Sequence, residues 1–227
     1  MIGIIGAMET ETAGVLKEMT VLKTEKVGFA TFWQGTVGKT EVVLAQCGIG
    51  KVFAAACTQA MILQYAPSLI LNIGVGGALT RELGIGDAVI GTSAVQYDMD
   101  TSAIGDPLGK ISGIDRTYLP CDEGVGATLG EVLSTLGIGH LFGVIATADR
   151  FVDKDENRAI CRSFGALMED MEGAAVGQVC FVHQVPFGIL RTVSNGDVDA
   201  GAVYENQAAR AAEVLCRATV TWLRKNF

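Results

Sequence analysis

Histidine is almost missing from this sequence. His140 and His183 are the only two among 227 residues and stand 43 positions apart, which nearly excludes a histidine-based metal site and a serine triad. Six cysteines (Cys47, Cys57, Cys121, Cys161, Cys180 and Cys216) show no C-x-x-C spacing, and most sit in apolar stretches. Buried free thiols in a reducing cytosol explain them better than a disulfide framework or a zinc site. No metal is expected. Basic residues are scattered, 17 Lys and Arg against 25 Asp and Glu for a net charge of −8, whereas a nucleic-acid surface needs them clustered. Nucleic acid is therefore not an expected partner. No uninterrupted apolar run approaches the roughly 20 residues of a membrane span. The apolar stretch Met1 to Met8 lacks a basic flank and runs at once into Glu9 and Glu11, unlike a signal peptide. A soluble, cytoplasmic protein with no membrane partner is expected. No repeat, low-complexity linker or composition break divides the chain, so one domain over 1–227 is the economical expectation.

Against these absences stand three apolar runs that each stop at an acid or a cluster of small polar residues: MIGIIGAMETE (1–11), ALMEDMEGAA (166–175) and FGILRTVSNGD (187–197). In a parallel sheet the carboxyl ends of the strands open onto one crevice, so acids just beyond three strands can converge on one ligand. Strands are predicted at 2–6, 69–74, 87–93, 141–149 and 187–194, with a hairpin formed by 27–35 and 41–46 around Gly38-Lys39. Helices are predicted at 9–19, after a glycine turn within 48–65 (ended by Pro67), at 123–136, from Asp153 or Asp155, in the second part of a strand–helix junction at 167–183, and from about 203 to 225. The Asp-, Gly-, Ser- and Pro-rich stretch 97–121 is predicted to be a long ordered loop. Alternating strands and helices imply a three-layer α/β/α fold around a mostly parallel mixed sheet.

The segment GVGGA (74–78) follows a strand and is predicted to be a loop. It contains neither G-x-G-x-x-G nor a P-loop, so no dinucleotide or other cofactor is expected. Its glycines serve either tight turning or the close approach of a flat ring to bare backbone. Glu11 lies in the first turn of a helix, where the dipole alone favours a carboxylate. Glu172 is more informative, because an acid at the inner start of a buried helix is costly unless it binds something. Ser194-Asn195-Gly196-Asp197 is either an ordinary turn or a polar cluster at a strand end.

Several motifs carry a resemblance from end to end: G-A-M-E-x-E at 6–11, G-I-G-K-V at 48–52, N-I-G-V-G-G at 72–77, I-G-D-A-V-I at 85–90, the run from Asp98 to Gly105, D-x-F at 149–151, M-E-G-A-A at 171–175, and V-P-F with R-x-x-S at 185–194. The sequence resembles the 5′-methylthioadenosine/S-adenosylhomocysteine nucleosidases of the nucleoside phosphorylase superfamily. The resemblance implies a nucleoside phosphorylase-like fold, a purine nucleoside as the small-molecule partner, and a homodimer. It also implies that Glu11 takes a proton from the attacking water and that Glu172 binds the ribose hydroxyls above Met171. Phe151 would stack on the purine, Val152 would offer backbone to its edge, Gly77 would lie against the nucleoside, and Met8, Ile49, Arg191 and Ser194 would line or support the pocket.

Two positions depart from the family pattern. Asn195 stands where the resemblance places the aspartate that protonates the purine, unless Asp197 fills that role across an inserted Asn-Gly. Val75 replaces a serine found in some relatives. An amide cannot act as a general acid, but it can accept from N7–H and donate to O6 of a 6-oxopurine. Hydrolysis of 5′-substituted adenosines to release adenine is the leading expectation. A futalosine-type hydrolase releasing hypoxanthine, a phosphorylase, and a non-catalytic purine nucleoside-binding relative are the alternatives.

Overall fold

The computed structural model describes residues 1–151, 155–195 and 204–226. The first strand, β1 (Ile2–Gly6), is buried along its length and leads into α1 (Glu9–Lys17). Three antiparallel strands follow: β2 (Thr20–Val27), β3 (Ala30–Val37) and β4 (Thr40–Gln46). The β3–β4 turn lies at Gly38-Lys39 as expected, whereas β2 was not expected. That edge strand is mostly exposed and lacks an apolar alternation, so register with β3 rather than burial of its own defines it.

Next come α2 (Lys51–Tyr65), which ends at a left-handed Ala66 before Pro67, then β5 (Leu69–Ala78) and β6 (Ala88–Gln96). The stretch after β6 holds a single 3-10 turn (Ser102–Ile104) and the two-residue strand β7 (Leu119–Pro120). The rest of the described chain comprises α3 (Glu123–Thr135), β8 (His140–Thr147), α4 (Asp155–Ser163), β9 (Ala166–Asp170), α5 (Gly173–His183), β10 (Phe187–Asn195) and α6 (Tyr204–Asn226).

Both faces of the mixed sheet are covered. α2 and α5 pack Ala54, Cys57, Met61, Ala174 and Val176 on one side. On the other, α1, α3 and α6 pack Val15, Leu129, Leu133, Leu215 and Trp222. One end of the sheet also curls on itself, because β10 pairs with both β5 and β6 while β9 reaches back to β5 through Gly77–Glu169 and Ala78–Met168.

This closure overturns the expected loop at 74–78, which instead continues β5. The glycines are there for closeness. A Cβ on Gly76 would lie 2.7 Å from the Glu169 carbonyl and 2.8 Å from Met168 Sδ, and one on Gly74 would lie 2.9 Å from Glu11 Oε1. The strand is squeezed between neighbours and the pocket, so side-chain-free residues are needed for approach rather than for turning.

Candidate active site

The carboxyl ends of β1, β5, β9 and β10 surround a cleft. Met8, Glu11, Ile49, Gly77, Phe151, Met171, Glu172 and Ser194 all line it, so most of the residues singled out from the sequence meet in one place. The strand-end reading explains the convergence. Glu11 sits five residues beyond the end of β1 and Glu172 two residues beyond the end of β9, and these strands share one sheet.

Glu11 is 3% exposed and is held by backbone. Its Oε2 accepts from the N–H groups of Ala7 (2.8 Å) and Met8 (2.9 Å), and its Oε1 accepts from Val75 N–H (2.9 Å). The first two donors belong to the turn that opens α1; the third comes from β5, 64 residues along the chain. Burial raises the Glu11 pKa above the usual carboxylate value, although the Arg191 charge and the three N–H donors pull the other way. The outcome is a carboxylate fixed in position with increased proton affinity. At Val75 the site uses the main-chain N–H, so a departure in side chain leaves this contact intact.

Arg191 lies behind the cleft rather than on its wall, with its side chain 1% exposed. Its Nε (2.9 Å) and Nη2 (2.6 Å) both donate to Asp170 Oδ2, and Nη2 also donates to Asn72 Oδ1 (2.6 Å). Asn72 in turn donates from Nδ2 to the Ile5 carbonyl (2.9 Å). Asp170 accepts from Thr147 Oγ1 and from the Gly173 N–H at the start of α5. A wholly buried cation is thus fixed to the three strands β1, β5 and β9.

Glu172 stands at the N-cap of α5, and its Oε1 accepts from Gly50 N–H (2.9 Å) at the N-cap of α2. Its Oε2 lies 3.8 Å from Arg191 Nη2. Burial first, and then the Asp170 charge, push its pKa up to about 7, against the pull of Arg191.

Asp170, Asn72, Thr147 and Glu169 were not singled out in the sequence. The signal for two of them was present. E-D-M-E ends an apolar strand, and in a β-strand adjacent residues point to opposite faces, so at least one of Glu169 and Asp170 had to be buried. Asn195 ends β10, with its side chain outside the described residues. Val152 and Asp197 also lie outside the described residues.

Residues 1–224 match the Phosphorylase superfamily. Over 196 residues the chain is 35% identical to the 5′-methylthioadenosine/S-adenosylhomocysteine nucleosidase of Haemophilus ducreyi, covering 86% of this chain and 84% of that one. The chain belongs to this nucleosidase family.

Two solved structures bear on how the family fold is used. The Neisseria meningitidis nucleosidase in complex with methylthio-immucillin-A superposes with a TM-score of 0.93 at 29% identity, over 98% of each chain. Futalosine hydrolase of Helicobacter pylori superposes equally well, with a TM-score of 0.93 at 31% identity over 100% of this chain and 97% of that one. The same backbone frame thus serves enzymes named for two different substrates.

Proposed function

We propose that this nucleosidase hydrolyses the N-glycosidic bond of 5′-methylthioadenosine and S-adenosylhomocysteine and releases adenine. One observation carries the reading: Glu11, immobilised by three N–H donors and raised in proton affinity, lines the same cleft as Glu172. Glu11 takes a proton from a water that attacks C1′, a C–O bond forms as the C1′–N9 bond breaks, and the purine departs with a proton that N7 takes from Asp197 or from solvent. Positive charge develops on the sugar during this step, and the carboxylates of Glu11 and Glu172 stabilise it. Glu172 holds the ribose hydroxyls, Met171 lies beneath the sugar, and Phe151 covers the base. Ile49 and Met8 border the nucleoside on the side of α1 and α2.

The electrostatics favour water over phosphate as the nucleophile. Among the described residues that line the cleft there are acids but no lysine or arginine, and the guanidinium of Arg191 is turned toward Asp170 and Asn72. A phosphorylase would need an anion site.

Asn195 favours a second reading, a futalosine-type hydrolase that releases hypoxanthine, because an amide suits the N7–O6 edge of a 6-oxopurine. Chromatography of the products formed from 5′-methylthioadenosine and from futalosine distinguishes the two. Adenine release at the higher kcat/KM is expected; hypoxanthine release without adenine release overturns the first reading.

A homodimer working in the cytoplasm as part of methionine salvage completes the proposal. Val52, Phe53 and Val182 expose 76%, 46% and 57% of their surface on the neighbouring helices α2 and α5, and apolar surface of this kind favours a self-complementary interface. The six cysteines are unpaired and buried, which suits a reducing compartment.

A further inference from the structure

Glu169 is an anomaly in the wall of this cleft. Glu169 is 6% exposed and lines the pocket, yet among the described residues nothing donates a hydrogen bond to its carboxyl and no cation forms an ion pair with it. By contrast Glu11, Asp170 and Glu172 are each held by backbone N–H groups. An unpartnered buried carboxyl costs stability, so a ligand is the natural source of its missing partner.

Its place in the sheet indicates which part of the ligand. Gly77 has two register partners, Glu169 on β9 and Asn195 on β10. These residues therefore flank a position without a side chain, two strand spacings or roughly 9–10 Å apart at the backbone. A flat ring bordered by Phe151 and Gly77 would lie between them.

We infer that the Glu169 carboxyl hydrogen-bonds the six-membered ring of the purine at N1 and the 6-substituent, and so sets how this nucleosidase weighs a 6-amino against a 6-oxo base. The inference rests on the nucleosidase reading above and adds a specificity residue to it.

The chemistry depends on protonation. A neutral carboxyl donates to N1 of adenine while accepting from the 6-amino group; it serves hypoxanthine too, donating to O6 and accepting from N1–H. An ionised carboxylate only accepts, which keeps the N1–H of hypoxanthine but opposes the N1 lone pair of adenine. Burial, reinforced by Asp170, pushes the Glu169 pKa up to about 8, with Arg158 opposing. Cys161 of α4 and Tyr97, just beyond β6, are the other titratable groups that feel its charge, and both are raised by burial well above this range. Near neutral pH the acid form prevails, and the base preference is tuned across pH 7–9.

The test is inhibition by free adenine and free hypoxanthine, measured from pH 6.5 to 9.5 on wild type, Glu169→Leu and Glu169→Gln. Wild type is expected to lose adenine affinity relative to hypoxanthine by about 10-fold across that range, a fold-change typical of one hydrogen bond to a buried acid. Glu169→Leu should weaken both bases by about 10-fold at pH 7 and keep a Tm at or above that of wild type. Glu169→Gln, whose amide both donates and accepts, should bind adenine within about threefold of wild type at pH 7, with no pH dependence in the adenine-to-hypoxanthine ratio.

Unchanged inhibition constants in a folded Glu169→Leu, or a wild-type ratio that is flat with pH, overturn the inference while leaving the nucleosidase reading in place. Failure of the wild-type chain to release any base from 5′-methylthioadenosine or futalosine overturns the nucleosidase reading itself. If Glu169→Leu fails to fold, the wild-type pH ratio and the Gln variant still decide the matter.

Discussion

Arg191 gives two nitrogens, Nε and Nη2, to one oxygen of Asp170, at 2.9 and 2.6 Å, with both side chains sealed from solvent. The pair spans the cleft wall at Asp170 and the buried layer behind it at Arg191. It is a charged bolt beneath the site, and its field lowers the proton affinity of both Glu11 and Glu172.

Arg191→Met should therefore do two things. Stranding Asp170 without its cation should destabilise the fold by about 3–5 kcal/mol, a fall in Tm on the order of 10 °C. In whatever fraction remains folded, the acid limb of the kcat/KM profile should move to higher pH, because Glu11 and Glu172 lose the charge that favours their ionised forms. Calorimetry and a pH–rate profile check both; a limb that stays put would show that Arg191 does not tune the site.

Glu11→Gln removes the proposed base while keeping its shape. kcat for 5′-methylthioadenosine is expected to fall about 10²–10⁴-fold, with nucleoside binding largely retained. A variant with more than half of wild-type kcat rules Glu11 out as the base.

Glu172→Ala should weaken nucleosides far more than free adenine, since the proposed contact is to ribose hydroxyls. A buried charge-assisted hydrogen bond contributes roughly 1.5–3 kcal/mol, so about a 10- to 100-fold difference in inhibition constants is expected. Equal losses for adenine and for a non-hydrolysable nucleoside analogue would place Glu172 elsewhere.

Stability should decline as the pH rises through neutrality. Glu11, Glu169 and Glu172 all have folded-state pKa values above their ordinary ones, with Glu172 at about 7 and Glu169 at about 8. Between the ordinary value and the raised one the folded chain binds more protons than the unfolded chain, so unfolding free energy falls with pH. The contribution is complete below about pH 4.5 and is lost by the time the pH passes 8. Tm measured from pH 5 to 8.5 should fall for wild type and fall less for Glu169→Gln. A Tm that rises over that window contradicts the assigned burial of these acids.

The parts of the site legible in the sequence were those with a local signature. Glu11 and Glu172 follow apolar runs directly, and Gly77 and Met171 fall in motifs that the family resemblance covers. Asp170 and Asn72 were illegible for a different reason. Each is defined by Arg191, 21 and 119 residues away, and no local pattern encodes so long-range a partner. β2 was missed because an exposed edge strand of alternating charge has no burial pattern to detect, and GVGGA was assigned to a loop because glycines needed for close packing look the same as glycines needed for a turn. The helix starts at Lys51 and Gly173, by contrast, were visible from glycine and small-residue runs.

The residue that meets the purine N7 separates the two substrate readings. If Asn195 holds that edge, Asn195→Asp should shift preference toward 6-aminopurine nucleosides, because a protonated carboxyl can donate to N7 while its other oxygen accepts from the 6-amino group, and Asp197→Asn should be mild. Abolished adenine release in Asp197→Asn, with Asn195→Ala tolerated, would instead assign the acid to Asp197. Steady-state assays on the three variants with adenosine and inosine analogues decide between them.

The most direct measurement is the identity of the sugar product when 5′-methylthioadenosine is turned over with and without millimolar phosphate. Mass spectrometry should find free 5-methylthioribose and adenine in both cases, at equal rates, as expected of a cleft lined by Glu11 and Glu172 with Arg191 turned away. A phosphate-dependent rate yielding 5-methylthioribose 1-phosphate would contradict hydrolysis.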